Sequence, residues 1–177
     1  DGGNYFEFNA SYLGESGWRD LKTPPHWVVE TGEIAYCLDH MADSPQGDSY
    51  GKFDPAAIYS EVTYIGLLAI IEHSFPYRNA GLTDKQIRYA TANAIRSWLM
   101  ESAGIGYDFM LPSNNAVRPK TEYQGAFNFY KQLLDKARSG SVINHTLTTN
   151  PETIELLVQG DKQIGQTTIN YNALNGK

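Results

Sequence analysis

The chain has 177 residues, a length that matches one domain of ordinary size. Charged residues make up 19% of it and aromatic residues 12%, which is too apolar a balance for a disordered chain. The net charge of -6 argues against nucleic acid and anionic membrane surfaces as partners, because both are bound through positive charge. The longest strongly apolar run, residues 65–71, is far too short to span a bilayer.

The first forty residues contain short segments typical of strands. Residues 5–8 alternate weakly between apolar and polar side chains. Residues 27–29 and 34–38 are rich in β-branched, aromatic and other apolar residues, with glycine and proline around them. The next run, residues 41–52, contains one proline and two glycines and is predicted to be a loop.

The spacing of apolar residues then changes to that of a helix. Asp54-Pro55 predicts a helix start, because aspartate accepts bonds from the first amides and proline fits the first helical position. The later turns are apolar nearly all round, which predicts a central helix. The residues that recur at helical spacing are Ile58, Val62, Ile65, Leu68 and Ala69.

Two further helices are predicted to begin with a capping box, in which two residues three apart cap each other's amides. The pairs are Thr83 with Gln86 and Thr121 with Gln124, and Gly104 and Gly140 are predicted ends. The predicted buried stripes are Ile87, Thr91, Ala94 and Trp98 in one helix, and Tyr123, Phe127, Tyr130, Leu134 and Ala137 in the other.

Strand-like segments return after the last helix, at residues 142–147, 153–158 and 167–171. Strands at both ends with helices between them predict an α+β fold. We expect a single domain over residues 1–177, with a strand lobe that forms a β-sandwich or barrel and an inserted all-helical lobe. The strand lobe takes in residues 1–52 and 141–177, and the helical lobe residues 53–140. The end of the chain carries no anchor signal, so we expect a domain of a longer protein.

The chain contains one cysteine, Cys37, which excludes an internal disulfide and a zinc site built from several thiolates. A single cysteine on a strand is usually a small buried hydrophobic residue. Another interpretation is a nucleophile that a histidine activates, for which His40, His73 and His145 are the candidates. No local signature of a cysteine protease surrounds Cys37.

Two segments resemble the motifs of bacterial thioester domains, the host-binding tips of Gram-positive surface adhesins. Residues 32–39, Gly-Glu-Ile-Ala-Tyr-Cys-Leu-Asp, resemble the cysteine motif of that family, and Pro45, Gly47 and Tyr50 follow it. With the helix between the two motifs, the resemblance covers about residues 32–110. Each motif is short, and the order of the cysteine, an apolar helix and the second motif is the specific part.

The second motif lies in the helix that carries Thr-Gln-x-Ala-Ile in the family, often followed by tryptophan. The residues that match are Thr91, Ala94 and Ile95. Arg96 stands where the tryptophan is usual, and the tryptophan of this chain is displaced to Trp98. Position 92, where the family has its glutamine, is alanine in this chain.

The resemblance implies a reaction between a cysteine and a glutamine. The Cys37 thiol and a glutamine carboxamide at position 92 would condense with loss of ammonia to an internal thioester. A lysine amine of a host protein would then attack, and the thiolate would leave, which gives an isopeptide-type bond between the two proteins. The residues implied to line the site are Tyr36, Asp39, Thr91, Ile95 and Trp98.

Ala92 has no carboxamide, so this chain should carry no thioester and Cys37 should remain a thiol. The alanine is either an engineered replacement or a natural loss. We favour engineering, because the motif is otherwise well kept and alanine is the usual laboratory choice. A position-92 side chain lies on the flank of the predicted buried face, at about 140° from Ile87 at about 100° per residue.

The resemblance implies a monomeric, extracellular module of a cell-wall-anchored protein, which acts in adhesion and virulence without enzymatic turnover. It implies no cofactor and no metal. Two alternatives stay open: a hydrolase or transferase with a cysteine nucleophile, and a module that binds its ligand non-covalently around a structural cysteine.

Overall fold

The computed structural model describes residues 3–23, 26–27, 34–38, 54–74, 78, 81–142, 146–150, 157–159, 162–164 and 168–172. The chain divides into two compact units, Asp1–Val142 and Ile143–Lys177. The predicted loop at residues 41–52 lies outside the described residues.

A three-stranded antiparallel sheet forms the strand layer of the first unit. Strand β1 (Phe6–Asn9) is its central strand, between β2 (Trp18–Leu21) and β5 (Val117–Pro119). Phe6 pairs with Leu21 on one side and with Pro119 on the other. The β1 prediction is confirmed, whereas β2 and β5 were not predicted. Strand β5 comes from within the predicted helical lobe and joins an N-terminal strand.

A short antiparallel pair precedes the first helix. Strand β3 (His26–Trp27) pairs with β4 (Ile34–Ala35), with His26 opposite Ala35 and Trp27 opposite Ile34. Strand β3 overlaps the predicted segment 27–29 at Trp27, and residues 28–29 lie outside the described residues. Strand β4 lies within the predicted segment 34–38 and is shorter than it.

Helix α1 (Glu61–Glu72) begins later than the sequence predicts. Asp54 does accept a bond from the Ala56 amide at 3.0 Å, but the turn that it caps is a 3-10 turn. Ser60 then caps α1 by accepting from the Thr63 amide at 3.2 Å. Ile58 and Val62, the first two residues of the predicted helical spacing, lie outside the core, because they are 62% and 68% exposed.

Helix α2 (Asp84–Ala103) confirms its predicted capping box. The Thr83 amide donates to Gln86 Oε1 at 3.0 Å, and the Gln86 amide donates to Thr83 Oγ1 at 3.3 Å. Gly104 ends the helix in the left-handed conformation at φ 67°, which favours glycine. Ten residues of α2 are buried, so it forms the centre of the core.

Helix α3 (Gln124–Ser139) ends at Gly140 as predicted, but its predicted capping box is wrong. A 3-10 turn occupies Thr121–Tyr123, and the Gln124 side chain donates to Asn128 Oδ1 at 2.9 Å instead. Its predicted stripe is buried only in part, since Tyr123 and Phe127 are half-buried.

The three helices pack against one another and against the sheet. Phe6 of β1 lies edge-on to the rings of Tyr89 and Tyr130. The Tyr89 hydroxyl accepts from the Phe6 amide at 3.2 Å and donates to the Leu21 carbonyl, and it therefore connects α2 to two strands.

Two strand pairs make up the described part of the second unit. Strand β6 (Thr146–Asn150) pairs with β9 (Thr168–Asn172), and β7 (Leu157–Gln159) pairs with β8 (Lys162–Ile164), all antiparallel. Helices and antiparallel strands together confirm the α+β class. The sandwich or barrel and the lobe boundaries stay predictions. No helix in the described ranges is long and apolar enough to cross a membrane.

Candidate functional site

Cys37 lies two residues after the end of β4. It is partly buried, and its two chain neighbours, Tyr36 and Leu38, pack against the hydrophobic core. The flanking side chains therefore fix the backbone on either side of the sulfur.

One face of α2 carries Arg88, Ala92 and Arg96, which follow one another at intervals of four residues. Residues four apart lie one above the other on a helix, since each turn takes about 3.6 residues. All three are partly buried, which places this face at the edge of the core.

Tyr36 lies beside the first part of this face. Burial raises the pKa of its hydroxyl, while the neighbouring Thr91 hydroxyl and Arg88 guanidinium counter the rise. Thr91 donates to the Ile87 carbonyl at 2.7 Å, so toward Tyr36 it offers only an acceptor. The Tyr36 oxygen is nevertheless buried without a hydrogen bond of normal geometry among the described residues.

Arg96 lies one turn beyond position 92, near enough to Cys37 for the two side chains to interact electrostatically. Burial lowers the pKa of its guanidinium, while the nearby Cys37 thiol and two tyrosine hydroxyls oppose the change electrostatically. Within the part of the chain that the structure describes, no carboxylate forms an ion pair with Arg96. The site therefore holds a partly desolvated cation close to the sulfur.

Thr23 holds the Arg96 guanidinium in place. Arg96 Nη1 donates to Thr23 Oγ1 at 3.3 Å. Asn93 Nδ2 in turn donates to Thr23 Oγ1 at 3.1 Å and to the Tyr89 carbonyl at 2.9 Å, and both Thr23 and Asn93 are buried. This network fixes the orientation of the cation from the core side.

The structure thus brings Tyr36 and Cys37 to one stretch of α2. Tyr36 meets its first part at Thr91, and Cys37 meets its last part at Arg96. Position 92 lies between these two, on the same face as Arg96.

Two further residues of the predicted site are core residues of α2. Ile95 is fully buried, and Trp98 is 5% exposed and donates from Nε1 to the Thr63 carbonyl at 2.9 Å. Trp98 therefore packs against α1. Asp39 lies outside the described residues. The role of each of the three in the site stays a prediction.

Sequence reasoning gave no functional role to Arg96 or Thr23. The spacing of Arg96, four residues after position 92, is a signal that could have identified it. Thr23 had no such signal, because it comes from a distant part of the chain.

Of the three histidines that could activate a cysteine nucleophile, the structure describes only His73. Its Nδ1 lies 2.9 Å from the Ala69 carbonyl at the end of α1, so this nitrogen carries a proton. The side chain of His26 and the whole of His40 and His145 lie outside the description. Among the described side chains, no group of three or more His, Cys, Asp or Glu could hold a metal ion.

An open groove of about 640 Å³ lies elsewhere, between α3 and residues 109–117. Phe109, Met110 and Leu134 are among its apolar lining, and none of the predicted site residues lines it. Arg138 forms a two-bond ion pair with Glu101 at its rim, at 2.8 Å for each bond.

Comparison with known proteins adds one finding to this geometry. The sequence model of the thioester domain family matches residues 34–139, which is more than half of the chain. The chain belongs to the thioester domain family. The match spans both Cys37 and position 92 of this thioester domain. No curated protein and no solved structure matches it significantly.

Membership gives this thioester domain its general role. Thioester domains are surface adhesin modules that bind host proteins covalently. A thioester-based role in adhesion outside the cell follows for the family to which this chain belongs.

Proposed function

We propose that the parent form of this domain carries glutamine at position 92 and forms an internal thioester with Cys37. The observation that supports the proposal is that Tyr36 and Cys37 lie along one stretch of α2, at Thr91 and Arg96, with position 92 between them. The Arg96 side chain, like other helical side chains, leans toward the helix N-terminus and covers the turn of position 92, which supports a sulfur within reach of a glutamine there.

The thioester would form when the Cys37 sulfur attacks the glutamine amide carbon and ammonia leaves. A lysine amine of a host surface or matrix protein would then attack the same carbon. The C–N bond forms, the C–S bond breaks, and the sulfur leaves as a thiolate that takes up the proton released by the amine. A thiolate is the better leaving group, because thiols ionise near pH 8.5 and amide nitrogens do not.

The environment of Cys37 suits a leaving thiolate. The Arg96 guanidinium lies close to the sulfur, and a neighbouring cation stabilises a thiolate. The packed side chains of Tyr36 and Leu38 limit the access of water, which would compete with the amine.

Each domain of this kind would react once and would keep its partner, so the function is adhesion and not enzymatic turnover. We also propose a monomeric module of a Gram-positive cell-wall-anchored protein with a part in virulence. In the chain as it stands, Ala92 leaves Cys37 as a thiol, and any partner would be held without a covalent bond. This holds whether Ala92 is engineered or natural.

Restoring the glutamine tests the proposal. In Ala92→Gln, the intact mass should fall by that of one ammonia molecule relative to the value calculated from the sequence, and methylamine should then add one molecule of itself. Ala92→Asn is the matched control, because it carries a carboxamide that is one methylene shorter and should keep its calculated mass.

An Ala92→Gln protein that keeps its ammonia and ignores methylamine would contradict the thioester. A chromogenic ester assay separates this function from the hydrolase alternative. A hydrolase would turn over many substrate molecules in a manner that Cys37→Ser abolishes, whereas the adhesin would not.

A further inference from the structure

The Tyr36 hydroxyl is a buried polar group without a hydrogen bond among the described residues. Buried hydroxyl groups are normally satisfied, because one that is left without a partner costs stability. An exception beside a reactive site makes the side chain missing at position 92 a candidate for the partner. The side chain that this chain lacks, at position 92, is one turn or less along α2 from the residues around Tyr36.

The direction of helical side chains supports this assignment. A side chain on an α-helix leans toward the helix N-terminus and covers the preceding turn. A glutamine at position 92 would therefore lean toward the turn that contains Arg88 and Thr91. The Tyr36 hydroxyl lies at this turn.

We propose that the Tyr36 hydroxyl donates a hydrogen bond to the side-chain carbonyl oxygen of a glutamine at position 92, and stabilises the oxyanion that forms there during reaction. This inference rests on the proposed function, because it assigns a donor to the carbonyl group of the thioester. It goes beyond the earlier interpretation of Tyr36 as part of the wall of the site.

The hydroxyl would act in the same way in both reactions at this carbon. When the sulfur or an amine attacks, the carbonyl π electrons move to the oxygen, and the Tyr36 proton faces the developing charge. The carbonyl re-forms when ammonia or the thiolate leaves, so Tyr36 ends each reaction unchanged. A donor fixed before reaction is effective because it needs no reorganisation.

Tyr36 is suited to donate at neutral pH. Burial raises the pKa of its hydroxyl, so the proton stays on the oxygen. Thr91 does not compete as a donor for the carbonyl, because its proton is bound to the Ile87 carbonyl.

A thermodynamic cycle over positions 36 and 92 tests the hydrogen bond without requiring any reaction. In the chain with Ala92, Tyr36→Phe should leave the unfolding midpoint unchanged or raise it, because the lost hydroxyl has no hydrogen-bond partner among the described residues. In an Ala92→Gln, Cys37→Ser background, where no thioester forms, the same change should lower the midpoint. The control is Tyr130→Phe, which breaks a 2.8 Å hydrogen bond to Ser97 and should lower the midpoint in both backgrounds.

The reaction rate gives the second measurement. In the double variant Ala92→Gln, Tyr36→Phe, the thioester should react with methylamine about a hundredfold to a thousandfold more slowly than in Ala92→Gln, as loss of one oxyanion donor does in other sites. Mass spectrometry over time follows both the loss of ammonia and the gain of methylamine.

The outcomes separate this inference from the proposed function. If Ala92→Gln loses no ammonia, the thioester function fails. The thermodynamic cycle over positions 36 and 92 still shows whether Tyr36 bonds to a glutamine at position 92. The role of Tyr36 is overturned if the thioester forms but Tyr36→Phe has the same effect on the unfolding midpoint in both backgrounds and does not change the methylamine rate. An equal drop of the midpoint for Tyr36→Phe in both backgrounds would also overturn it, because the hydroxyl would then have a partner in the chain as it stands.

Discussion

Trp98 on α2 occupies the space that a side chain at Gly66 on α1 would need. A Cβ atom at position 66 would lie 2.2 Å from Cε2 of the Trp98 ring. The indole also donates to the Thr63 carbonyl of α1 at 2.9 Å. Gly66 lets the indole approach α1, and this hydrogen bond holds it there. The contact holds α2, with position 92, against α1.

Gly66→Ala should therefore destabilise the protein, although alanine favours a helix. The added methyl group would displace the Trp98 ring or the helix, which typically costs about 1–3 kcal/mol or more. The control is Gly125→Ala in α3, whose Cβ would meet, among the described residues, the end of the Leu82 side chain at 3.3 Å. There the higher helix propensity of alanine, about 1 kcal/mol, should prevail. Urea unfolding of both variants measures the difference, and equal stabilities would contradict the close approach.

The Tyr89 hydroxyl should contribute to stability because it connects β1, β2 and α2. Tyr89→Phe would leave the Phe6 amide and the Leu21 carbonyl without this partner, and the expected loss is about 1–3 kcal/mol. Urea unfolding measures the loss. Tyr12→Phe is the control, since Tyr12 is 42% exposed and should change stability by less than about 0.5 kcal/mol. Equal effects of the two changes would contradict the role of Tyr89.

The sequence predicted the helices best where local interactions determine the structure. The Thr83–Gln86 capping box forms from residues three apart. Gly140 adopts the left-handed conformation and bonds carbonyls of the last turn of α3, which is also a local interaction. Thr121 and Gln124 have the same spacing without forming a box, because a 3-10 turn precedes α3. The local pattern allowed both structures.

The strands that were missed depend on distant partners. Strand β5 has three residues, one of them Pro119, and it becomes a strand through pairing with β1 more than a hundred residues away. The site shows the same limit. The motifs predicted Cys37 and position 92, whereas the bond between Thr23 and Arg96 joins residues 73 apart and no sequence pattern predicts it.

Stability at alkaline pH should depend on Tyr130. Burial raises the pKa of its hydroxyl to about 12, from about 10 in the unfolded chain. A raised pKa gives stability that is fully present below pH 10 and is lost as the pH rises toward 12. The free energy of unfolding of the chain as it stands should therefore fall between pH 10 and pH 12.

Removing the Tyr130 hydroxyl isolates this effect. Tyr130→Phe should be less stable than the unsubstituted chain at pH 8, because its hydrogen bond to Ser97 is lost. The difference in the free energy of unfolding between the two proteins should narrow by up to about 2 kcal/mol between pH 10 and pH 12, because phenylalanine has no proton to lose. A gap that stays constant in urea unfolding across this range would contradict the raised pKa.

The Arg96 cation should speed the opening of the thioester in Ala92→Gln. Negative charge develops on the Cys37 sulfur as the C–S bond breaks, and a nearby cation stabilises it. Arg96→Met removes the charge but keeps a long apolar side chain, and it should slow the reaction with methylamine at pH 7 about threefold to tenfold. Arg96→Lys keeps the charge and should retain most of the rate of Ala92→Gln alone. Intact mass measured over time gives the rate for each variant.

A matched loss of charge elsewhere separates the local effect from the net charge. Arg118→Met removes a surface cation that pairs with Glu7 across β1 and β5, and it should leave the rate of the methylamine reaction unchanged. Thermal unfolding of the Arg96 variants checks that the fold persists at the assay temperature. Equal methylamine rates in Ala92→Gln with and without Arg96→Met would contradict a direct electrostatic role. Equal slowing by Arg96→Met and Arg96→Lys would assign the effect to the bond with Thr23, which depends on the shape of the guanidinium.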